Sequence, residues 1–284
     1  MTHTGTHTRG RRLVWTGAGM PASDGAGVKL SRIIGQPALP DLDPFLMLDA
    51  FGSDDPAAYI AGFPSHPHRG FETVTYMLAG RMRHRDNAGN EGLLGPGSVQ
   101  WMTAGRGIVH SEMPEQDAGL MQGFQLWVNL PAKDKLVPPR YQDIAADRVP
   151  LADLGGGASA KVLAGEIAGV RGPVDPGATQ PIFLDITLAA GGAARVPLPD
   201  GHNAFVYVFE GEASVGEGAE RLGAGRVGVL STGEDVALNS ANGARLILVA
   251  GKPLREPVAK YGPFVMNTEA ELRQAFADYR AGRF

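Results

Sequence analysis

HPHRGFETVTY, residues 66–76, places two histidines one residue apart at the head of a run, 71–78, whose β-branched and aromatic residues read as a strand. Side chains alternate across a strand, so His66 and His68 share a face. Outward from this stretch the same texture repeats: runs 28–34, 98–102, 122–130, 182–188, 205–209, 226–230 and 245–249 have strand length, and glycine or proline ends most of them. The chain has 40 glycines and 21 prolines in 284 residues, without a repeat period. That composition predicts short strands joined by tight turns, hence an all-β chain of two sandwiches or barrels in tandem.

The length suits two domains. The expected division is 1–145 and 146–284, with the weakly periodic stretch 131–160, PAKDKLVPPRYQDIAADRVPLADLGGGASA, as the linker region. One helix is predicted at the carboxyl end. In NTEAELRQAFADYRAGRF, 267–284, Thr268 and Glu271 have capping-box spacing, and Leu272, Phe276 and Tyr279 share a face suited to covering a sheet.

Composition narrows the function classes. The net charge is −4 and the basic residues are scattered, which argues against direct nucleic-acid binding. The longest apolar runs, such as 205–209 and 246–251, are strand-sized and well short of a membrane span. The opening MTHTGTHTRGRR is polar and basic, reading as a frayed tail instead of a signal peptide or anchor. No cysteine is present, so any metal must be held by nitrogen and oxygen, and the composition fits a cytoplasmic location.

The halves carry a faint repeat. VTYMLAG (74–80) aligns with FVYVFEG (205–211), and GSVQWMTAGRGIVHSE (97–112) with GRVGVLSTGEDVALNS (225–240). The turn glycines survive and the polar positions do not: His66 falls on Pro197, His68 on Pro199, His110 on Leu238 and Glu112 on Ser240. Chemistry is therefore expected in the first half alone.

Of seven histidines, His3 and His7 sit in the tail, and His66, His68, His84 and His110 fall within 45 residues. IVHSE repeats the i, i+2 spacing with His110 and Glu112. If the two extended segments meet across a barrel, three imidazoles and a carboxylate converge, a set suited to a divalent transition metal with positions left for water or substrate. Iron, manganese, nickel, copper and zinc all fit such donors. Glu72 shares strand parity with His66 and His68 and competes with Glu112 as the carboxylate ligand, or orients a ligand imidazole. His84, in the charged hairpin RMRHRDNAGN, reads as a surface or satisfied core residue.

HPHRGFETVTYMLAG followed by GPGSVQWMTAGRGIVHSE resembles the pirin family of the cupin superfamily. Further likeness lies in LDPFLMLDAFG (42–52), FQLWVNLP (124–131) and GKPLREPVAKYGPFVMNT (251–268). The general cupin motif is met loosely, since seven residues separate Glu72 from Gly80 and Thr103 stands where proline is usual. The resemblance implies a bicupin, two tandem cupin-type β-barrels, with one metal, iron first, held in the amino-terminal barrel by His66, His68, His110 and Glu112. It also implies one of two activities. The first is quercetin 2,3-dioxygenase-type chemistry, in which O2 opens a flavonol or related planar aromatic and carbon monoxide leaves. The second is non-enzymatic regulation through a protein partner.

For the enzyme, Glu112 or Glu72 is the expected general base. Met47, Phe51, Met77, Trp101 and Met102 are candidates for an apolar substrate wall, or else plain core. For the regulator, Arg69, Arg81, Arg83, Arg85 and Arg106 are candidates for a positive rim, or else a solvated face.

Overall fold

A computed structural model describes residues 9–284 except Pro176; His3, His7 and the rest of 1–8 lie outside the described residues, whereas residues 9–12 of the tail expected to fray are held in place, with buried Arg11 donating to the Gly233, His202, Ser231 and Pro199 carbonyls. The chain is all-β with one carboxyl-terminal α-helix, Glu269–Arg280. It divides into two compact units, each discontinuous in sequence. One joins Gly19–Val149 to Leu254–Phe284, and the other joins the described residues up to Ala18 to Pro150–Pro253.

In the first unit a seven-stranded antiparallel sheet runs Arg140–Ile144, Val99–Thr103, Phe71–Ala79, Met121–Asn129, Phe45–Ser53, Val28–Ile34, Met20–Asp24. A four-stranded sheet runs Phe63–His68, Ile108–Pro114, Met82–Asp86, Glu91–Leu94. Both orders end at edge strands instead of closing. Phe51, Met77 and Met121 from the large sheet pack with Phe63, Met82 and Leu94 from the small one, giving the unit an apolar interior between its layers.

The carboxyl-terminal segment completes this unit. Strand Phe264–Met266 pairs with Ala259–Tyr261, and Leu272 and Ala275 of the helix pack on Phe264 and Met266. The capping box forms: Thr268 Oγ1 accepts from the Glu271 amide at 3.2 Å, and Glu271 Oε2 accepts from the Thr268 amide at 2.9 Å. Such a cap contributes about 1 kcal/mol. Tyr279, expected on the covering face, is partly exposed at its edge, where its ring meets those of Phe264 and Phe284.

The second unit is built on the sheet Leu13–Ala18, Arg226–Leu230, Asn203–Val215, Ala244–Gly251, Ile182–Leu188, Ala158–Ala164, Leu151–Gly155. Strand Asp235–Ser240 pairs with Gly192–Pro197 and with the far end of the long Asn203–Val215 strand. Its core is built on an apolar cluster in which Leu184, Val196, Val206, Leu238 and Leu248 are buried together.

Stretch 131–160 is more ordered than a linker. It holds strands Arg140–Ile144 and Leu151–Gly155 and the start of Ala158–Ala164, and Arg140–Ile144 joins the large sheet beside Val99–Thr103. Its proline, glycine and charge content hid these strands: Arg140–Ile144 finds its partner some forty residues back, and Leu151–Gly155 pairs with Ala158–Ala164 across a glycine turn.

The repeat is real at the level of register. Val74 pairs with Trp101 and, at the aligned positions, Phe205 pairs with Val229. The Gly97 amide donates to the Met77 carbonyl at 2.7 Å, and the Gly225 amide to the Val208 carbonyl at 2.8 Å. Both glycines adopt positive φ, 84° and 80°, a conformation that a side chain would penalise. The histidine positions need correction. His66 pairs with His110 and His68 with Ile108, whereas Ala194 pairs with Leu238 and Val196 with Val236. Ala194 and Val196, not Pro197 and Pro199, therefore stand where His66 and His68 do. The segment leading to the next strand is longer in the second unit, which slides the alignment.

Candidate metal centre

Strands Phe63–His68 and Ile108–Pro114 bring the two histidine segments together. His66 lies opposite His110, and a bulge near Pro64 and Ser65 shifts the pairing so that Glu112 lies opposite Phe63. Ring nitrogens of His66, His68 and His110 all lie within 4.8 Å of one another, and the ring centroids are 4.5–5.0 Å apart. His66 Nδ1 lies 2.8 Å from the Pro64 carbonyl; as donor there it leaves Nε2 as the free lone pair, the orientation that a metal-ligating imidazole needs.

Burial explains the state of the other two rings. Desolvation first, then the neighbouring His110 and His66, holds His68 well below the usual histidine range. Desolvation likewise lowers His110 to about 4, against the opposing pull of Glu112. Both are therefore neutral at pH 7, with lone pairs available. His68 Nδ1 and both ring nitrogens of His110 have no hydrogen-bond partner in the protein. Three converging imidazoles, two of them with orphaned buried nitrogens, fit a divalent transition metal.

Glu112 is almost fully buried, at 1% exposure, and stands beside the imidazole group, lining the same cavity as His66 and His68. Its carboxylate accepts from Thr75 Oγ1 at 2.9 Å and Gln125 Nε2 at 3.0 Å, both on the facing sheet. Each oxygen keeps a further lone pair.

Glu72 is placed elsewhere. Its Oε1 accepts from Thr103 Oγ1 at 2.7 Å, its cross-strand neighbour. It lies three residues from Thr75, hence on the opposite face of Phe71–Ala79 from the residue that bonds Glu112. The parity running from His66 to Glu72 is interrupted at Gly70, where φ is 87° and an added Cβ would lie 2.0 Å from the Val265 carbonyl.

A cavity of about 760 Å³ opens at His66 and His68, within the usual range for small-molecule sites. Its walls include Leu46, Met47, Phe63 and Trp127, with Arg32, Asp49 and Lys260 among the polar lining. Of the apolar wall expected from sequence, only Met47 is there. Phe51 and Met77 pack in the core, Met102 packs with Ala104 and Ile108, and Trp101 is buried outside the lining. Trp127 was missed although its strand was legible; its ring lies 5.3 Å from His68 and 4.3 Å from Phe71.

Of the two readings of His84, surface or core, the structure gives the core one: its side chain is buried. It stacks on Tyr141, and its Nε2 lies 3.3 Å from Asp143 Oδ2. Of the five arginines considered for a rim, Arg81, Arg85 and Arg106 are exposed, Arg83 is half-buried and Arg69 is not at the surface. Arg69 is buried, pairs with Asp278 at 2.7 Å and lies under the Phe284 ring. Arg83 pairs with Glu115 and Glu91, Arg85 with Glu91, and Arg81 donates to the Glu115 carbonyl. No helix among the described residues is long and apolar enough to cross a membrane.

Comparison with known proteins places these features in a family. Residues 27–128 match the family described as Pirin and residues 183–284 the Pirin C-terminal cupin domain. A Pseudomonas aeruginosa protein provisionally named a quercetin 2,3-dioxygenase is 54% identical over 280 residues, covering 97% of this chain and 98% of its own. A pirin-like protein of Caulobacter vibrioides is 50% identical over 267 residues, 94% of this chain and 96% of its own. Among solved structures, quercetin 2,3-dioxygenase from Acinetobacter baumannii superposes with a TM-score of 0.89 at 35% identity, covering 96% of this chain and 98% of that one. With the cupin fold, the three-imidazole cluster and these matches spanning nearly its whole length, the chain belongs to the pirin family.

Proposed function

We propose that this chain is a metal-dependent dioxygenase of the quercetin 2,3-dioxygenase type, acting on a flavonol or related planar aromatic, with His66, His68, His110 and Glu112 holding one divalent metal, iron first. The observation that carries this reading is the convergence of three imidazoles, of which His66 and His68, with Glu112, line a cavity that has apolar walls. When bound, the metal supplies Lewis acidity toward an aromatic hydroxyl and a meeting point for that group and O2.

The protein's own residues do the rest. Trp127, Phe63 and Met47 offer apolar faces for a flat ligand and exclude water from it. Thr75 and Gln125 fix the Glu112 carboxylate by both oxygens, so it enters the site pre-oriented. Glu112 is the better-placed acceptor for a substrate hydroxyl proton, because it lines the cavity while Glu72 faces away from Thr75. Regulation through a protein partner would draw on the arginines near the site, and their charge is met largely within the chain.

The test is metal analysis of protein purified without chelators, followed by anaerobic flavonol titration and then admission of air. About one metal per chain with oxygen-dependent loss of flavonol absorbance is expected, and His66→Ala should remove both. Full turnover in a metal-free His66→Ala variant would refute the assigned site. Metal retention without bleaching would transfer the weight to the regulatory reading.

A further inference from the structure

Charge is unevenly compensated around the cavity. Arg32 donates to both oxygens of Asp49, at 2.9 and 2.7 Å, and to Asp24 at 2.9 Å, so its charge is met twice. Lys260 lines the same cavity. Its ammonium makes one long contact, 3.4 Å to the Leu46 carbonyl, and among the described residues no carboxylate lies within ion-pairing distance. An ammonium has three donors, so two remain for a ligand.

The surroundings reinforce this imbalance. Partial burial first, and the neighbouring Arg32 guanidinium, lower the Lys260 pKa, with Asp41 pulling the other way. An anion received here would give this partly buried ammonium a direct counter-charge and favour its charged form. Lys260 is also positioned by the frame. Its strand, Ala259–Tyr261, pairs with Phe264–Met266, whose Val265 amide donates to the Arg69 carbonyl at 3.0 Å, next to His68.

We propose that Lys260 is an anion-selecting residue of this cavity, favouring planar aromatic substrates with a carboxylate, sulfonate or sulfate besides the hydroxyl that faces the imidazoles; this rests on the cavity's being an aromatic-ligand site. A point-charge ammonium suits such groups without demanding bidentate geometry. The selection is a difference in affinity between two ligands that share one ring system.

Anaerobic calorimetric titration of the metal-loaded full chain with a flavonol and with its sulfonated counterpart tests it. The readout is the ratio of the two affinities at low salt. Wild type should favour the sulfonate roughly fivefold, the ratio should fall to near one in Lys260→Met, and Lys260→Arg should keep it. The wild-type preference should shrink as ionic strength rises. An unchanged ratio in a folded Lys260→Met variant, or no preference in wild type, overturns the inference and leaves the cavity reading intact. If neither ligand binds wild type, the cavity reading itself falls and takes the inference with it.

Discussion

Glu72 and Glu112 are both nearly sealed from solvent, at 6% and 1% exposure, and each accepts a threonine hydroxyl. What separates them is the face of the sheet each occupies. Glu112 points across the interior to Thr75 and Gln125, and Glu72 bonds sideways to Thr103. Glu112→Gln should therefore weaken metal binding by at least about tenfold, whereas Glu72→Gln should leave it within about twofold. Competition with a graded chelator measures both. Equal metal loss in the two variants would contradict the assignment of Glu112. His84 gives a second lesson at this scale. Its neighbours Arg83 and Arg85 made the hairpin look solvated, yet alternation turns their charges outward and the imidazole inward onto Tyr141.

At the scale of elements, the turn that follows His68 is tied to the carboxyl-terminal hairpin by a buried cation. Lys135 Nζ donates to the Gly70 carbonyl at 2.8 Å, Asn129 Oδ1 at 2.7 Å and the Val265 carbonyl at 3.0 Å, with every proton used. Burial pushes its pKa from 10.5 down to about 8, with Glu256 and Glu271 opposing. Between those values the unfolded chain binds more protons than the folded one, so this group makes stability rise with pH across that window. The slope is at most about 1.4 kcal/mol per pH unit. Urea midpoints should accordingly climb from pH 8 to pH 10, and Lys135→Met should flatten the rise. A wild-type profile as flat as the variant's would rule this account out. The same scale explains the register slip in the repeat. Paired strands keep their glycines and facing residues, and connections change length freely because loop insertions cost little.

For the whole molecule, the decisive feature is that the unit holding the imidazole cluster recruits Leu254–Phe284 from the far end of the chain. Phe264, Met266, Leu272 and Ala275 form a buried cluster there, and Asp278 pairs with buried Arg69, the residue after His68. A fragment 1–145 lacks this cover, exposes Arg69 without its carboxylate and should fail to retain metal. Residues 19–149 fused to 254–284 through a flexible linker should retain it, as metal analysis after gel filtration would read. Stoichiometric metal on the 1–145 fragment would argue against any role for the segment. The sequence by itself determined whatever depends on near neighbours. The alternating runs became strands, Thr268 and Glu271 became a capping box, and two i, i+2 pairs put His66 with His68 and His110 with Glu112 on extended segments. These follow from backbone period and local hydrogen bonding, which a short window contains. Only the tertiary structure decided that Glu72 turns away beyond the kink at Gly70, that Trp127 and Lys260 reach the cavity, and that the chain's last segment closes the unit its first half began. Each depends on which distant strands pair and in what register, and a one-residue change in register moves a side chain to the other face.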